Sequence, residues 1–334
     1  MSYDAAVHVA DELQTRMDAT GSVACVGLDP RPELLPPDLV ARTLATHGDT
    51  AEAVGAAFVE FNTQIIAAIA GACPAVKPQA ACYEAYGHAG WAALETTVAT
   101  ARAAGLSVIV DGKRNDIGST AVHYRQAFFG DAPGLAGQPL SAMHADWVTV
   151  NGYLASDTVT PFLDGPAGSR GIFVLVKTSN PSSGELQDRL VTSEHPTAEA
   201  PASQAEPWSV ADAMAALVHG WGAGRAGSSG LSDVGAVVGA TYPSQAEALR
   251  TVMPDALFLV PGFGAQGASA ADALAGRRPD GRGVLVSSSR GIIGAWQQAA
   301  GAPGAPSLAG VVDWADAARS ALDTMNAELD GARG

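Results

Sequence analysis

Short runs of apolar residues recur along the chain at intervals long enough to hold a helix between them. The earlier runs are rich in β-branched residues, which is typical of β-strands. The later runs are almost continuously apolar, as expected for strands that are buried on both faces of a parallel sheet. The eight predicted strands cover residues 23–29, 75–79, 107–113, 147–152, 171–178, 234–240, 256–262 and 283–289.

Alanine-rich segments with a helical spacing of apolar residues lie between these runs. Regular alternation of strands and helices predicts a parallel sheet, and eight such units favour a closed (β/α)8 TIM barrel in the α/β class. The alternative is a doubly wound open sheet, but residues 27–30 after the first strand lack the GxGxxG pattern of dinucleotide-binding sheets. The predicted helices cover residues 53–70, 91–104, 210–221, 243–251 and 311–329.

One segment interrupts the alternation. Residues 180–232 contain clusters of Pro, Ser, Glu and Gly, and we interpret them as a long insertion after the fifth strand with one short helix inside it. Residues 130–139 are predicted to form an irregular loop. The length of 334 residues is compatible with a single barrel domain that carries this insertion.

Composition and charge exclude several classes of function. The net charge is −15 and the 19 Lys and Arg residues form no dense cluster, which argues against nucleic-acid binding. No run of about 18 apolar residues occurs, so we expect a cytoplasmic protein without a membrane segment. The three cysteines, Cys25, Cys73 and Cys82, form no CxxC pair, and the seven histidines lack metal-ligand spacing. Neither a disulfide nor a metal site is predicted.

Charged residues follow three neighbouring strands at their C-terminal ends, where the side chains of a barrel converge on one pocket. They are Asp29 at the end of the first strand, Lys77 near the end of the second, and Asp111 and Lys113 at the end of the third, with Asp116 in the next loop. Regular alternation along the strand would place Asp111 and Lys113 on the same face. Alternating charges would keep each carboxylate ionised and each lysine protonated. The structural alternative is a salt-bridged strand end that leads into a helix capped by Ser119 or Thr120.

Glycine- and serine-rich segments end the seventh and eighth strands, a location where barrels often bind phosphate. They are residues 260–267 (VPGFGAQG) and 287–291 (SSSRG). Backbone N–H groups near Gly264, the amide of Gln266 and the guanidinium of Arg290 would form a local anion site on an acidic protein. The alternative is that the glycines form turns and the arginine lies on the surface.

Taken together, these segments resemble the orotidine 5'-monophosphate decarboxylase family, in particular its longer bacterial-type subgroup. The resemblance extends over most of the chain outside residues 180–232. It depends on GLDP at 27–30, VKPQ at 76–79, DGKRNDIGST at 111–120, TSNPSSG at 178–184, PGFGAQG at 261–267 and SSSRGI at 287–292.

The resemblance implies a homodimeric lyase, without metal or cofactor, that converts orotidine 5'-monophosphate to UMP and CO2 in the last step of UMP biosynthesis. It implies that Lys113 is the proton donor, that Asp111 faces the scissile carboxylate, and that Lys77 contacts the ribose and the carboxylate region. Asp116 and Thr120 would reach across the dimer interface into the neighbouring site. The implied substrate contacts are Asp29 with the ribose hydroxyls, Ser179 and Thr178 with the pyrimidine, and Gly264, Gln266 and Arg290 with the phosphate.

Three other functions stay open at this point. A sugar-phosphate decarboxylase or aldolase of the same barrel type would hold a magnesium ion and should place a carboxylate where the second strand ends in Lys77. A Schiff-base aldolase would use Lys77 or Lys177 as its nucleophile. The third possibility is a phosphate-binding barrel without catalytic activity.

Overall fold

The structure is a computed structural model that describes residues 7–130, 132–140, 143–191, 208–264, 267–301 and 313–333. Eight parallel strands close into one barrel, in which each strand pairs with its neighbours in chain order and the first pairs with the last. The predicted (β/α)8 barrel is therefore confirmed. Its strands are β1 (Ala24–Leu28), β2 (Ala75–Pro78), β3 (Ser107–Arg114), β4 (Trp147–Val150), β5 (Gly171–Lys177), β6 (Val234–Val238), β7 (Phe258–Pro261) and β8 (Val284–Ser288).

Helices follow the strands and cover the outside of the barrel. The predicted helices at 53–70, 91–104, 210–221 and 243–251 are present with shifted ends, and the described part of the C-terminal one begins at Trp314. No helix in the described ranges is long and apolar enough to cross a bilayer. The helices are α1 (Val9–Thr20), α2 (Pro37–His47), α3 (Ala51–Ile69), α4 (Ala80–Glu84), α5 (Gly87–Ala103), α6 (Gly118–Phe129), α7 (Ser156–Val159), α8 (Val210–Gly222), α9 (Pro243–Val252), α10 (Ala270–Leu274), α11 (Arg290–Ile293), α12 (Ala295–Gly301) and α13 (Trp314–Gly331), with 3-10 turns at Pro32–Leu34, Gly152–Leu154, Thr160–Leu163 and Pro181–Glu185.

Apolar side chains fill the barrel and the layer beneath the helices. All residues of β1, β4 and β6 are buried, which explains their continuous apolar sequence. Between β4 and β5 the rings of Trp147 and Phe173 pack with centroids 4.8 Å apart. Gly171 makes room for this pair, because a Cβ atom there would overlap the Trp147 ring.

The connection between β5 and β6 contains the segment that the sequence predicts as an insertion. Its described parts include the 3-10 turn Pro181–Glu185, a two-stranded pairing of Leu190–Val191 with Trp208–Ser209, and α8. Because α8 packs against β5 and β6, it is the regular connecting helix of this barrel unit. The predicted insertion of residues 180–232 therefore includes a regular helix of the barrel. The region 130–139, predicted to be irregular, contains an antiparallel pairing of Ala132–Pro133 with Pro139–Leu140.

Candidate active site

A cavity of about 730 Å³ lies at the C-terminal ends of the barrel strands. Its size is in the usual range for small-molecule sites. The cavity wall is locally cationic although the whole chain is acidic, which favours an anionic ligand. The charged residues in the described part of the wall are Arg31, Lys77, Lys113 and Arg290, against Asp29 and Asp111.

Asp111 of β3 lies between two lysines. Its Oδ2 atom accepts a hydrogen bond from Lys77 Nζ at 2.7 Å, and its Oδ1 atom accepts one from Lys113 Nζ at 2.5 Å. Lys77 is 7% exposed and Asp111 is 6% exposed, whereas 44% of the Lys113 side chain is exposed. The structure thus brings together the three charges that the sequence places at the ends of the second and third strands.

Both buried members of this cluster are held in their charged forms. Burial alone would raise the pKa of Asp111, but the ammonium groups of Lys77 and Lys113 outweigh it and hold this pKa well below its usual range. Burial would lower the pKa of Lys77, but the carboxylates of Asp111 and Asp29 raise it above its ordinary value. A buried carboxylate that stays ionised can exert a large electrostatic effect on a neighbouring ligand.

An irregularity in β3 brings Asp111 and Lys113 to the same point. Val110 pairs with Val148 and Arg114 pairs with Val150, so three residues of β3 stand opposite Thr149 alone. Lys113 has a φ angle of +46°, in the left-handed region that non-glycine residues seldom adopt. Asp111 and Lys113 therefore lie together, but the predicted reason, regular alternation along the strand, is wrong. A bulge in β3 directs the two side chains to the same point.

Two further donors complete the surroundings of Asp111, and neither was predicted from the sequence. Thr149 Oγ1 in β4 donates to Oδ1 at 2.8 Å, and Gln79 Nε2 donates to Oδ2 at 3.1 Å. Gln79 lies two residues after Lys77, so strand alternation would have predicted its direction. Thr149 is a single polar residue within an apolar strand, which is the only signal that the sequence offers for it.

Asp29 follows β1 and lines the cavity near Lys77. Its Oδ1 atom is buried, and no donor for it lies within the described part of the chain. A buried acceptor without a partner is costly in a folded protein. A hydroxyl group of a bound ligand would satisfy it.

Neutral polar side chains form the wall after β5. Thr178, Ser179 and Asn180 line the cavity together with Gln187 from the predicted insertion. The Gln187 amide accepts from the Thr178 backbone N–H at 2.9 Å and donates to its hydroxyl at 2.7 Å. Part of the predicted insertion therefore lines the cavity, a role that loop composition could not reveal.

Lys177 is placed differently from the other two lysines. It is fully buried, its Nζ atom donates to Asp188 Oδ1 at 2.6 Å, and it lies 4.3 Å from the centre of the Tyr242 ring. It is not among the cavity-lining residues of the described chain. These contacts leave its nitrogen unsuited to attack a ligand in the cavity.

The structure describes only part of the predicted phosphate site. Arg290 begins α11, is exposed and lines the cavity beside Ser289, near Gly262 and Phe263. Gly264 has a φ angle of +69° and is absent from the described part of the cavity wall. Gln266 lies outside the described residues.

Asp116 and Thr120 lie away from the cavity of their own chain. Asp116 Oδ1 accepts from the Ile117 N–H at 2.8 Å, and its carbonyl oxygen accepts from Thr158 Oγ1 at 2.9 Å. Thr120 is exposed in the first turn of α6. Neither residue lines the cavity in the part of the chain that the structure covers, so the predicted four-residue charge alternation is not completed within one chain.

Two alternatives drawn from the sequence, a capped helix after β3 and a site that holds a metal ion, can be compared with this geometry. The helix after β3 begins at Gly118 with Ile117 at its N-cap and no side-chain cap, so capping by Ser119 or Thr120 is not observed. Among the described residues, no three His, Cys, Asp or Glu side chains lie close enough together to hold a metal ion.

The fold and the cavity define a (β/α)8 barrel with a charged site at the C-terminal ends of its strands, where enzymes of this fold have their active sites. The family model described as "Orotidine 5'-phosphate decarboxylase / HUMPS family" matches residues 23–302. The chain belongs to this family, and the resemblance recognised from its motifs is confirmed.

Individual relatives agree with this assignment. The orotidine 5'-phosphate decarboxylase of Rhodopirellula baltica is 42% identical over 96% of this chain and 99% of its own length. A solved structure of the Leishmania donovani OMP decarboxylase has a TM-score of 0.68 and 30% identity, covering 98% of this chain and 99% of the other. A putative orotidine-monophosphate decarboxylase from Toxoplasma gondii has a TM-score of 0.72 at 30% identity, covering 97% and 95%.

Proposed function

We propose that this protein decarboxylates orotidine 5'-monophosphate to UMP and CO2, as the last step of UMP synthesis, without metal or cofactor. The observation that carries the proposal is the ionised Asp111 held between Lys77 and Lys113 at the wall of a cationic cavity. The names of the relatives and the family match support the same substrate.

The proposed reaction breaks the bond between carbon 6 of the pyrimidine and its carboxylate. The electron pair of this bond stays on carbon 6, CO2 leaves, and Lys113 donates a proton from its ammonium group to the same carbon. Water then returns a proton to the lysine. The partly exposed Lys113 side chain, whose ammonium group contacts Asp111 at 2.5 Å, suits a group that must turn between a carboxylate and a ligand.

Electrostatic stabilisation has to supply most of the rate enhancement. The uncatalysed barrier requires help that approaches ~20 kcal/mol. Repulsion between Asp111 and a substrate carboxylate at ~4 Å amounts to only ~4 kcal/mol at an effective dielectric constant of about 20. Attraction between the Lys113 ammonium and the charge that develops on carbon 6 is therefore the larger contribution. The four hydrogen bonds to Asp111 hold this cluster of charges in place before the substrate binds.

The remaining substrate contacts follow from the cavity wall. The unpartnered Oδ1 atom of Asp29 would accept a hydrogen bond from a ribose hydroxyl. Thr178 and Ser179 would contact the pyrimidine, while Arg290, with Gln266 and the backbone near Gly264, would bind the phosphate. Binding energy from the phosphate would then also promote turnover at the distant ring.

The active unit in this proposal is a homodimer. Asp116 and Thr120 would reach the cavity of the neighbouring subunit, where Asp116 would complete the Lys–Asp–Lys–Asp alternation. Their positions outside the cavity of their own chain are compatible with this role.

The competing functions find less support in the site. A magnesium-dependent sugar-phosphate enzyme needs a carboxylate where β2 carries Lys77. A Schiff-base mechanism at Lys177 conflicts with its burial and its ion pair with Asp188. In a barrel that only binds phosphate, the desolvation cost of burying Asp111 with Lys77 would serve no function.

Turnover of orotidine 5'-monophosphate, followed by the fall in ultraviolet absorbance with a metal chelator present, tests the proposal. We expect stoichiometric UMP and CO2. Absence of turnover by the folded protein, or turnover that the chelator abolishes, would overturn it. Borohydride treatment in the presence of substrate should leave Lys77 and Lys177 unmodified.

A further inference from the structure

We infer that Thr149 is a positioning residue for this chemistry, because its hydroxyl group couples the carboxylate of Asp111 to the backbone of Lys113. The inference rests on the proposed decarboxylation and extends it by a residue on a fourth strand. Thr149 is 1% exposed and lies at the centre of β4.

The Thr149 hydroxyl group makes two hydrogen bonds in opposite directions. It donates to Asp111 Oδ1 at 2.8 Å and accepts from the backbone N–H of Lys113 at 2.9 Å. The same Oδ1 atom accepts from Lys113 Nζ at 2.5 Å. The Thr149 hydroxyl group therefore positions the backbone of Lys113, where its side chain begins. It also orients the Asp111 carboxylate, which holds the ammonium group at the other end of that side chain.

The backbone of β3 explains why such a support is needed. Three residues of β3 stand opposite Thr149, so the regular ladder is interrupted here and the N–H of Lys113 bonds to a side chain. Lys113 also has a φ angle of +46°, a strained conformation for a residue with a Cβ atom. Strain of this kind persists only where surrounding contacts determine the conformation.

Other contacts of Asp111 do not replace this link. Lys77 and Gln79 both donate to Oδ2, on the other side of the carboxylate. Within the described residues, Thr149 is the side chain that bonds both Oδ1 and the Lys113 backbone. Replacing Thr149 by the isosteric Val would keep the packing of β4 and remove both hydrogen bonds.

Loss of the hydroxyl group should affect turnover rather than nucleotide binding. The Lys113 ammonium would no longer be held in a fixed position beside the Asp111 carboxylate, so proton delivery and charge stabilisation at carbon 6 would weaken. The proposed ribose and phosphate contacts at Asp29 and Arg290 lie outside this network and would persist. We expect kcat of Thr149→Val to fall by about 10- to 100-fold, with the Kd for UMP changed by less than about twofold.

Two variants serve as controls. Thr149→Ser keeps the hydroxyl group and should retain most of the wild-type kcat. Thr97→Val makes the same substitution at a threonine of nearly equal burial, 2% exposed, which donates to Ala93 O and accepts from Asn62 Nδ2 in the helical layer. It should lower thermal stability while leaving kcat of the folded enzyme unchanged.

A spectroscopic readout separates positioning from a structural role. The chain contains three lysines, Lys77, Lys113 and Lys177, so side-chain NMR of lysine-labelled protein gives three assignable signals. In Thr149→Val the Lys113 signal should move towards that of a free lysine, and Lys177 should stay in place. Hydrogen exchange at carbon 6 of bound UMP in D2O, the reverse of the proposed proton delivery, should slow together with kcat.

The inference fails if Thr149→Val keeps the wild-type kcat and Lys113 signal, or if Thr149→Ser is as impaired as Thr149→Val. It also fails if Thr97→Val loses kcat to the same extent. Should the valine variant not fold, Thr149→Ala provides the same comparison with a smaller side chain. Lack of wild-type turnover would overturn the proposed function instead, and the lysine signals would still report whether Thr149 positions Lys113.

Discussion

The ammonium group of Lys77 and the carboxylate of Asp111 form an ion pair of 2.7 Å at the junction of β2 and β3, where both side chains are nearly inaccessible to water. Each charge is stable there because of the other. Burial opposes ionisation of both groups, whereas the pair, together with Lys113 and Asp29, favours it. Both charges are therefore present in the folded barrel before any ligand binds.

The titration of Lys77 should reveal this coupling. Because Asp111 raises its pKa above the ordinary lysine value of about 10.4, the Lys77 NMR signal of the wild-type protein should titrate later than that of a free lysine. In Asp111→Asn the burial of Lys77 remains but the nearest carboxylate is lost, so its pKa should fall. A Lys77 signal that titrates identically in both proteins would contradict the coupling.

The same shifts in the pKa values of Asp111 and Lys77 should make the free energy of unfolding depend on pH. Asp111 has a lowered pKa in the folded state, so its contribution is present above the unfolded value of about 4 and is lost as pH falls through the folded value. Lys77 has a raised pKa, so its contribution is present below about 10 and is lost as pH rises through the folded value. Asp111→Asn should lower the free energy of unfolding by about 3–5 kcal/mol near neutral pH, and denaturant titrations should show this difference shrinking in acid.

The sequence predicted the barrel well because its strands are buried on both faces and therefore carry continuous apolar runs. It also placed Lys77 and Asp111 correctly, since the ends of neighbouring parallel strands meet at one rim. It could not predict the bulge opposite Thr149, because a bulge depends on pairing with a distant strand. Gln187 was missed for a related reason, since its position depends on how a loop after β5 returns to Thr178.

Lys113→Ala tests the proposed proton donor. The side chain is partly exposed, so its removal should leave the melting temperature close to that of the wild type, and UMP should still bind. Decarboxylation should fall by at least about 10³-fold, because both the acid and the developing-charge contact are lost. Lys113→Arg keeps the positive charge but holds its proton too tightly to donate it, and it should also be severely impaired. Turnover retained by either variant would remove Lys113 from the mechanism.

Arg290→Ala tests the phosphate assignment. Loss of a charge-assisted contact of about 1.5–3 kcal/mol should weaken UMP binding by roughly 10- to 100-fold, as measured by calorimetry. Binding of uridine, which lacks the phosphate, should be unchanged. Arg42→Ala removes an equal charge from the outer helix α2, where Arg42 pairs with Asp38 and Glu60, and should affect neither ligand. Equal weakening of uridine and UMP would place the phosphate elsewhere.

Mixing two inactive variants tests whether neighbouring subunits share the site. Asp116→Asn removes the charge while keeping an oxygen that can accept from the Ile117 N–H, so the loop conformation should persist. Alone, this variant and Lys113→Ala should each be nearly inactive. A hybrid dimer, however, would contain one site with Lys113 from one chain and Asp116 from the other.

Random reassortment makes about half of the dimers hybrids with one intact site each, so the mixture should recover about a quarter of the wild-type activity. The recovery should appear only after subunit exchange, which brief treatment with denaturant followed by refolding can drive. A control mixture of Lys113→Ala with Asp111→Asn should recover nothing, because both changes affect residues of the same chain's cluster. If the Asp116→Asn mixture also stays inactive after exchange, Asp116 does not act across an interface, and the proposed sharing of the site between subunits is wrong.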